Sequence, residues 1–230
     1  MVKIMQYGLQ RTGTNYVQGI LLENFTELSF LNNVTTRSLP LHKHFRLYSE
    51  KHFIPSPDYL NNFHYESFEA FDAHVQQFVN EKDFHYQIIT KHPISWYISI
   101  CRTARRNKWH SYIGKQINSH YMLDYNLFYS KWLSFSRQSK RVHLYKYEDF
   151  LYDFDSAIEK VRIDFDLRKK DSGYQNLTKV KMSKSFTKDR EAYYTQSKFY
   201  DSFTKDELLM LTAHLDTTVI EEIGYTLRNP

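Results

Sequence analysis

Two patterns of apolar and polar positions alternate along this chain. Short apolar runs read as strands of a buried sheet: Val2 to Tyr7 (VKIMQY), Tyr86 to Lys91 (YQIITK) and Val142 to Tyr147 (VHLYKY). Leu39 to Phe45 (LPLHKHF) reads as a further strand. Between these runs the spacing turns helical. Val17, Ile20 and Leu21 share a face, as do Phe68, Phe71, Val75 and Phe78, then Tyr125, Phe128, Trp132 and Phe135, then Phe150, Phe154, Ile158 and Val161. Near the end, Thr204 and Glu207 form a capping-box pattern, Leu208, Leu211, Leu215, Val219 and Ile223 make an apolar helix face, and Gly224 supplies the stop. Such alternation predicts an α/β fold with a mainly parallel central sheet flanked by helices. In such folds ligands bind at the C-terminal ends of the strands.

Composition narrows this further. The 230 residues contain no internal repeat and no Pro/Gly/Ser-rich linker, so one domain spanning 1–230 is expected. Hydrophobic content of 41% with 17% aromatic means that Tyr and Phe carry much of the core. Cys101 is the only cysteine, which excludes an intramolecular disulfide framework. No apolar run approaches the roughly 20 residues of a membrane span, and no secretory pattern opens the chain, so a soluble, cytoplasmic protein is expected. The net charge of +5 is concentrated: Arg162 to Lys198 holds ten Lys or Arg against five Asp or Glu, an excess equal to that of the whole chain. That segment suits an anionic ligand such as a nucleotide, an acidic sugar or nucleic acid.

The candidate chemistry begins in Val2 to Tyr16, a strand, a polar turn bracketed by Gly8 and Gly13, and a helix start. Unpaired N–H groups and the helix dipole make such a turn an anion site. Gly8 to Asn15 has the glycine spacing of the nucleotide-triphosphate pattern G-x-x-x-x-G-K-[ST], but Thr14 stands where its lysine must be; the cation lies within the loop, at Arg11. In Ile88 to Arg106 a strand ends at Lys91, Pro93 suits a first helical turn, and Ser99 follows Lys91 by eight residues, with Arg102 one turn further on. A cation at a strand end and a hydroxyl from the next helix can hold one phosphate between them. Arg141 to Leu151 is a strand that breaks at Tyr147-Glu148-Asp149 into a helix with acidic residues in its first turn. His42 and His44 alternate with Lys43, so that in a strand both imidazoles would face the same way and either could act as a base; His92 is a third candidate. No Cys or acidic cluster completes a metal-ligand set around His42 and His44.

Taken together, these motifs resemble sulfotransferases that use 3′-phosphoadenosine 5′-phosphosulfate (PAPS). Arg11-Thr12-Gly13-Thr14-Asn15 resembles their 5′-phosphosulfate loop, and Lys91, Pro93 and Ser99 resemble their 3′-phosphate motif, with Lys for the commoner Arg. The Tyr147-Glu148-Asp149 turn and the Ile223-Gly224-Tyr225 ending are also similar to family features. The resemblance implies a P-loop-like architecture and sulfuryl transfer from PAPS, without a metal, to a hydroxyl or amine of a small-molecule or carbohydrate acceptor; nucleic acid is disfavoured as a partner. Arg11 would act on the transferring group and Thr12, Gly13, Thr14 and Asn15 would cradle it. His44 resembles the family's base at the end of the second strand, ahead of His42, while some members use a Glu. A late basic loop usually completes the 3′-phosphate site; no Arg-Lys-Gly triplet is present, and Arg190 is the candidate, with Lys184 and Lys188 as rivals. Two other classes remain: a P-loop kinase or ATPase with an altered Walker loop, and a non-catalytic module that binds nucleic acid or glycan through Arg162 to Lys198. Acceptor identity would rest on Leu47 to Tyr65 and Arg106 to Leu123.

Overall fold

The computed structural model describes residues 1–32, 34–36, 39–47, 64–108, 119–170, 173–177 and 188–228, with no side-chain description for 188–191. Four strands, β1 (Val2–Tyr7), β3 (Leu28–Phe30), β4 (His85–Thr90) and β5 (Val142–Lys146), form a fully parallel sheet in the order β3-β1-β4-β5. A small antiparallel pair, β2 (Phe25–Thr26) with β6 (Arg168–Lys169), lies apart from it.

Because strand side chains alternate between faces, the sheet divides the interior into two cores. Met5, Tyr7, Tyr86 and Ile88 face one core, with α2 (Phe68–Gln76), α3 (Pro93–Arg106) and α4 (Ser119–Gln138). Ile4, Ile89 and Tyr145 face the other, with α1 (Thr14–Asn24), α5 (Asp149–Tyr152) and α6 (Phe154–Asp164). The aromatic stripe of α4 is wholly buried, and Trp132 packs on Tyr7 at 4.9 Å between ring centroids. Two tyrosines of that helix also answer backbone needs of β4: Tyr129 donates to the Ile89 carbonyl (3.0 Å) and Tyr125 to the Lys91 carbonyl (2.7 Å). A tyrosine fills core volume and still satisfies a buried acceptor, which explains how so aromatic a chain closes over its strand ends.

Four expectations from the apolar pattern need correction. Leu39 to Phe45 is a series of turns, with His42 N–H bonding to the Leu39 carbonyl (2.9 Å) and Phe45 N–H to the His42 carbonyl (2.9 Å); β3 pairs with β1 instead. The Phe150 to Val161 stripe is two helices, because the Asp153 side chain accepts the Ser156 N–H and starts α6 afresh. The C-terminal stripe likewise divides into α8 (Lys205–Thr212) and α9 (Thr217–Glu222), recapped by Asp216. Phe78 lies beyond α2 and is 43% exposed. The capping box at Thr204 and Glu207 and the left-handed Gly224 (φ 86°) are as expected.

Candidate functional site

The C-terminal ends of β1, β4 and β5 deliver three segments to one edge of the sheet. The first is the Gly8 to Gly13 loop. Its shape depends on both glycines: a Cβ at Gly8 would lie 2.9 Å from the Ile89 carbonyl oxygen and 2.6 Å from Thr12 Oγ1, and a Cβ at Gly13 (φ 93°) would run into the Tyr147 ring. Thr12 is fully buried and bonds back to the Leu9 carbonyl through N–H (3.2 Å) and Oγ1 (2.8 Å), which tightens the loop. Arg11 is exposed at the tip with a left-handed backbone (φ 76°). α1 begins at Thr14 with no side-chain cap and no acidic residue in its first turn. An uncapped N-terminus of an eleven-residue helix keeps its positive end for an external anion. Thr14 itself is buried.

The histidine turn docks against this loop. Gly8 N–H donates to the Lys43 carbonyl (3.0 Å), Lys43 Nζ donates to Asn15 Oδ1, and His44 Nδ1 bonds to the Gly8 carbonyl (2.7 Å). A carbonyl only accepts, so His44 carries its proton on Nδ1 and keeps the Nε2 lone pair. His42 has the opposite arrangement: its Nδ1 accepts the His44 backbone N–H (3.1 Å), which puts its proton on Nε2. The two rings lie 5.4 Å apart. Burial pushes the His44 imidazole well below its usual range; the Gly8 bond opposes this, and His42, Lys43 and Arg46 add to it. His44 is therefore neutral at pH 7. Beneath it, Arg46 forms a buried fork on Asp124 of α4 (Nε to Oδ1 2.9 Å, Nη2 to Oδ2 2.7 Å) and donates from Nη1 to the His44 carbonyl (2.8 Å).

The second segment follows β4. Lys91 is 3% exposed, and its Nζ donates to Ser99 Oγ of α3 at 3.2 Å, so the structure brings together the two residues paired by spacing. The same Nζ donates to the Tyr194 hydroxyl (3.0 Å) of α7 (Lys188–Thr195). It also lies over the rings of Tyr194 (4.8 Å) and Tyr147 (5.3 Å). Trp96, on the same helix, ties α3 to the first loop by donating from Nε1 to the Gln10 carbonyl (2.8 Å). Arg190 falls in α7, but its side chain lies outside the described residues, as do Lys184 and most of the two stretches expected to form the acceptor pocket; Lys188 lies in α7 with its side chain equally undescribed.

The third segment is Tyr147-Glu148-Asp149. Glu148 is buried, accepts the His92 N–H (3.0 Å) and the Tyr225 hydroxyl (2.7 Å), and so joins the turn to the Ile223-Gly224-Tyr225 ending. Its burial pushes the carboxyl pKa up. His92 is enclosed by Phe199, Tyr200 and Tyr225, which lowers its imidazole pKa to about 4. These residues, with Lys146, Tyr152 and Arg228, line a cleft of about 230 Å³. A broader trough of about 650 Å³, lined by Asp155, Glu159, Lys169 and Tyr174 among others, shares no residue with any of the three segments. Among the described residues no group of three or more His, Cys, Asp or Glu side chains is placed to hold a metal, and no helix is long and apolar enough to cross a membrane.

Sequence reasoning missed Tyr194, Arg46 and Asp124. Ala192-Tyr193-Tyr194 stood out only as aromatics that could anchor a turn, and the Arg46 to Asp124 pair spans 78 positions without any local signal.

No family model matches this chain, and no curated protein matches it. Among solved structures it is similar to the mouse sulfotransferase SULT7A1 complexed with PAP, at 14% identity and a TM-score of 0.47, over 96% of this chain and 82% of that one. At that identity and superposition the likeness assigns no activity.

Proposed function

We propose that this protein is a sulfotransferase that moves a sulfuryl group from PAPS to a hydroxyl or amine of a small-molecule or carbohydrate acceptor. One observation carries the reading: two groups of hydrogen-bond donors of different construction, each suited to an anion, stand at the ends of adjacent strands. After β1 there is an uncapped helix N-terminus with Arg11 in its loop; after β4 there is the Lys91 and Ser99 pair. One such arrangement suits many phosphates. Two side by side suit a nucleotide charged at both the 5′ and the 3′ position.

When bound, PAPS supplies an activated sulfuryl group on a phosphate leaving group. Sulfuryl transfer, like phosphoryl transfer, asks the protein for alignment and for charge stabilisation. Arg11 and the backbone N–H groups from Thr12 to Asn15 stabilise the charge that builds on the 5′ end. Lys91 and Ser99 hold the 3′-phosphate; Arg190 of α7, its side chain outside the described residues, stays the late-segment candidate that the resemblance implies. His44 takes the acceptor proton on Nε2, the nitrogen that its bond to Gly8 leaves basic. A kinase or ATPase would need a cation where Thr14 is buried.

The test is a thermal-shift panel of adenosine 3′,5′-bisphosphate, ATP with magnesium, and no ligand. At a hundredfold excess over Kd the bisphosphate should add about 2.7 kcal/mol, or roughly 5–10 °C for a chain of this size. Stabilisation by ATP with magnesium instead would support the kinase reading. Binding of polyanions with a steep salt dependence and no need for Arg11 would support the non-catalytic module.

A further inference from the structure

α7 brings the late basic segment to the end of β4 through an aromatic residue. Tyr194 is 5% exposed, its ring meets that of Tyr147 edge-on at 5.4 Å, and the Tyr152 hydroxyl donates to its carbonyl (3.2 Å). Lys91 Nζ donates to Ser99 Oγ and to Tyr194 Oη and stands 4.8 Å from the Tyr194 ring centroid and 5.3 Å from that of Tyr147. An ammonium only donates, so both hydroxyl oxygens act as acceptors toward it, and a hydroxyl that accepts is also a donor. Three donors from the end of β4, from α3 and from α7 thus meet at one point.

We propose that Tyr194 is the third member of the 3′-phosphate subsite, a specificity-determining residue that works with Lys91 and Ser99. This rests on the nucleotide reading above and concerns which residue of the late segment serves it. A lysine is a compact point charge on a flexible stem and lacks the fixed fork of an arginine. Two aromatic rings lie beside the ammonium, and the tyrosine hydroxyl adds the directed donor that the lysine lacks. The subsite therefore selects a phosphate at the 3′ position through a phenol that meets the lysine directly.

The experiment measures the Kd of adenosine 3′,5′-bisphosphate and of AMP, which has no 3′-phosphate, for the wild type, Tyr194→Phe, Tyr194→His and Tyr193→Phe. Tyr194→Phe retains the ring and its packing. It should weaken the bisphosphate about tenfold or more and AMP less than about twofold, as expected for one hydrogen bond to a charged group. Tyr194→His, which restores a donor, should keep most of the discrimination, and Tyr193→Phe should change neither nucleotide. A wild-type preference for the bisphosphate that survives Tyr194→Phe, or equal weakening of both nucleotides, overturns the role of Tyr194 alone. Wild-type protein that binds the two equally, or binds neither, overturns the nucleotide reading and this assignment with it.

Discussion

Replacing Arg11 by glycine should make the protein more stable than replacing it by alanine, while both substitutions slow transfer by about a hundredfold. Arg11 holds a left-handed backbone at φ 76°, in an exposed position next to the left-handed Gly13. For an L-residue this conformation costs about 1–2 kcal/mol, and such strain persists where function requires the side chain. Both variants lose the guanidinium and whatever it contacts, so their difference isolates the backbone term. Glycine should exceed alanine by about 1 kcal/mol, a Tm difference of roughly 2–4 °C in a chain of this length. Both should lose about a hundredfold in turnover, since a cation that stabilises transition-state charge contributes on the order of 3 kcal/mol. Denaturant titration gives the stability difference, and sulfuryl transfer from PAPS to a panel of acceptors gives the rate. Equal stability of the two variants would refute the strain argument. Retention of more than about half of wild-type turnover in either would refute the assignment of Arg11.

Three further outcomes are expected. His44→Ala should slow turnover by roughly two to four decades with little change in nucleotide affinity, and His42→Ala much less; because burial lowers the His44 pKa, the wild-type rate should stay flat as pH falls to 6.5 and decline only below it, so an acid limb centred at or above 6.5 would count against His44 as the base. Asp124→Ala takes the carboxylate of this buried ion pair away from Arg46 and should cost about 3–5 kcal/mol of stability, whereas the double change Arg46→Met with Asp124→Leu should recover most of it; a single-variant loss under about 1 kcal/mol in urea titration would sink this account. The unfolded chain takes up a proton near pH 6.5 that His92, at about 4 in the folded state, does not, so its contribution is full above 6.5 and is lost as pH falls toward 4. Measured against His92→Leu, the wild type should lose about 2–3 kcal/mol more between pH 7 and 4.5; the comparison at one position matters because Glu148, pushed upward by burial, works in the opposite sense.

Local chemistry along the chain was enough to place the first loop and the start of the second segment. The apolar run of β1, the glycine at φ 93°, the proline opening α3 and the eight-residue step from Lys91 to Ser99 are short-range facts, and the structure keeps each of them. The breaks at Asp153 and Asp216 were also written locally, in a side chain that prefers to cap a helix rather than continue one, but the apolar stripe runs across both breaks and hides them. Leu39 to Phe45 was misread because an alternation of side chains is a property of strands only where a partner strand exists, and β3 had taken that place beside β1. The tertiary structure alone decided which histidine keeps a basic nitrogen, since that depends on His44 meeting the Gly8 carbonyl 36 positions earlier. It likewise decided that Lys91 would meet Tyr194 across 103 positions and Glu148 would meet Tyr225 across 77. Periodicity reports which face of an element is buried. Only the packing of the whole chain decides which donor meets which acceptor there, because each burial removes water and obliges the polar group to accept whatever partner the fold has brought to it.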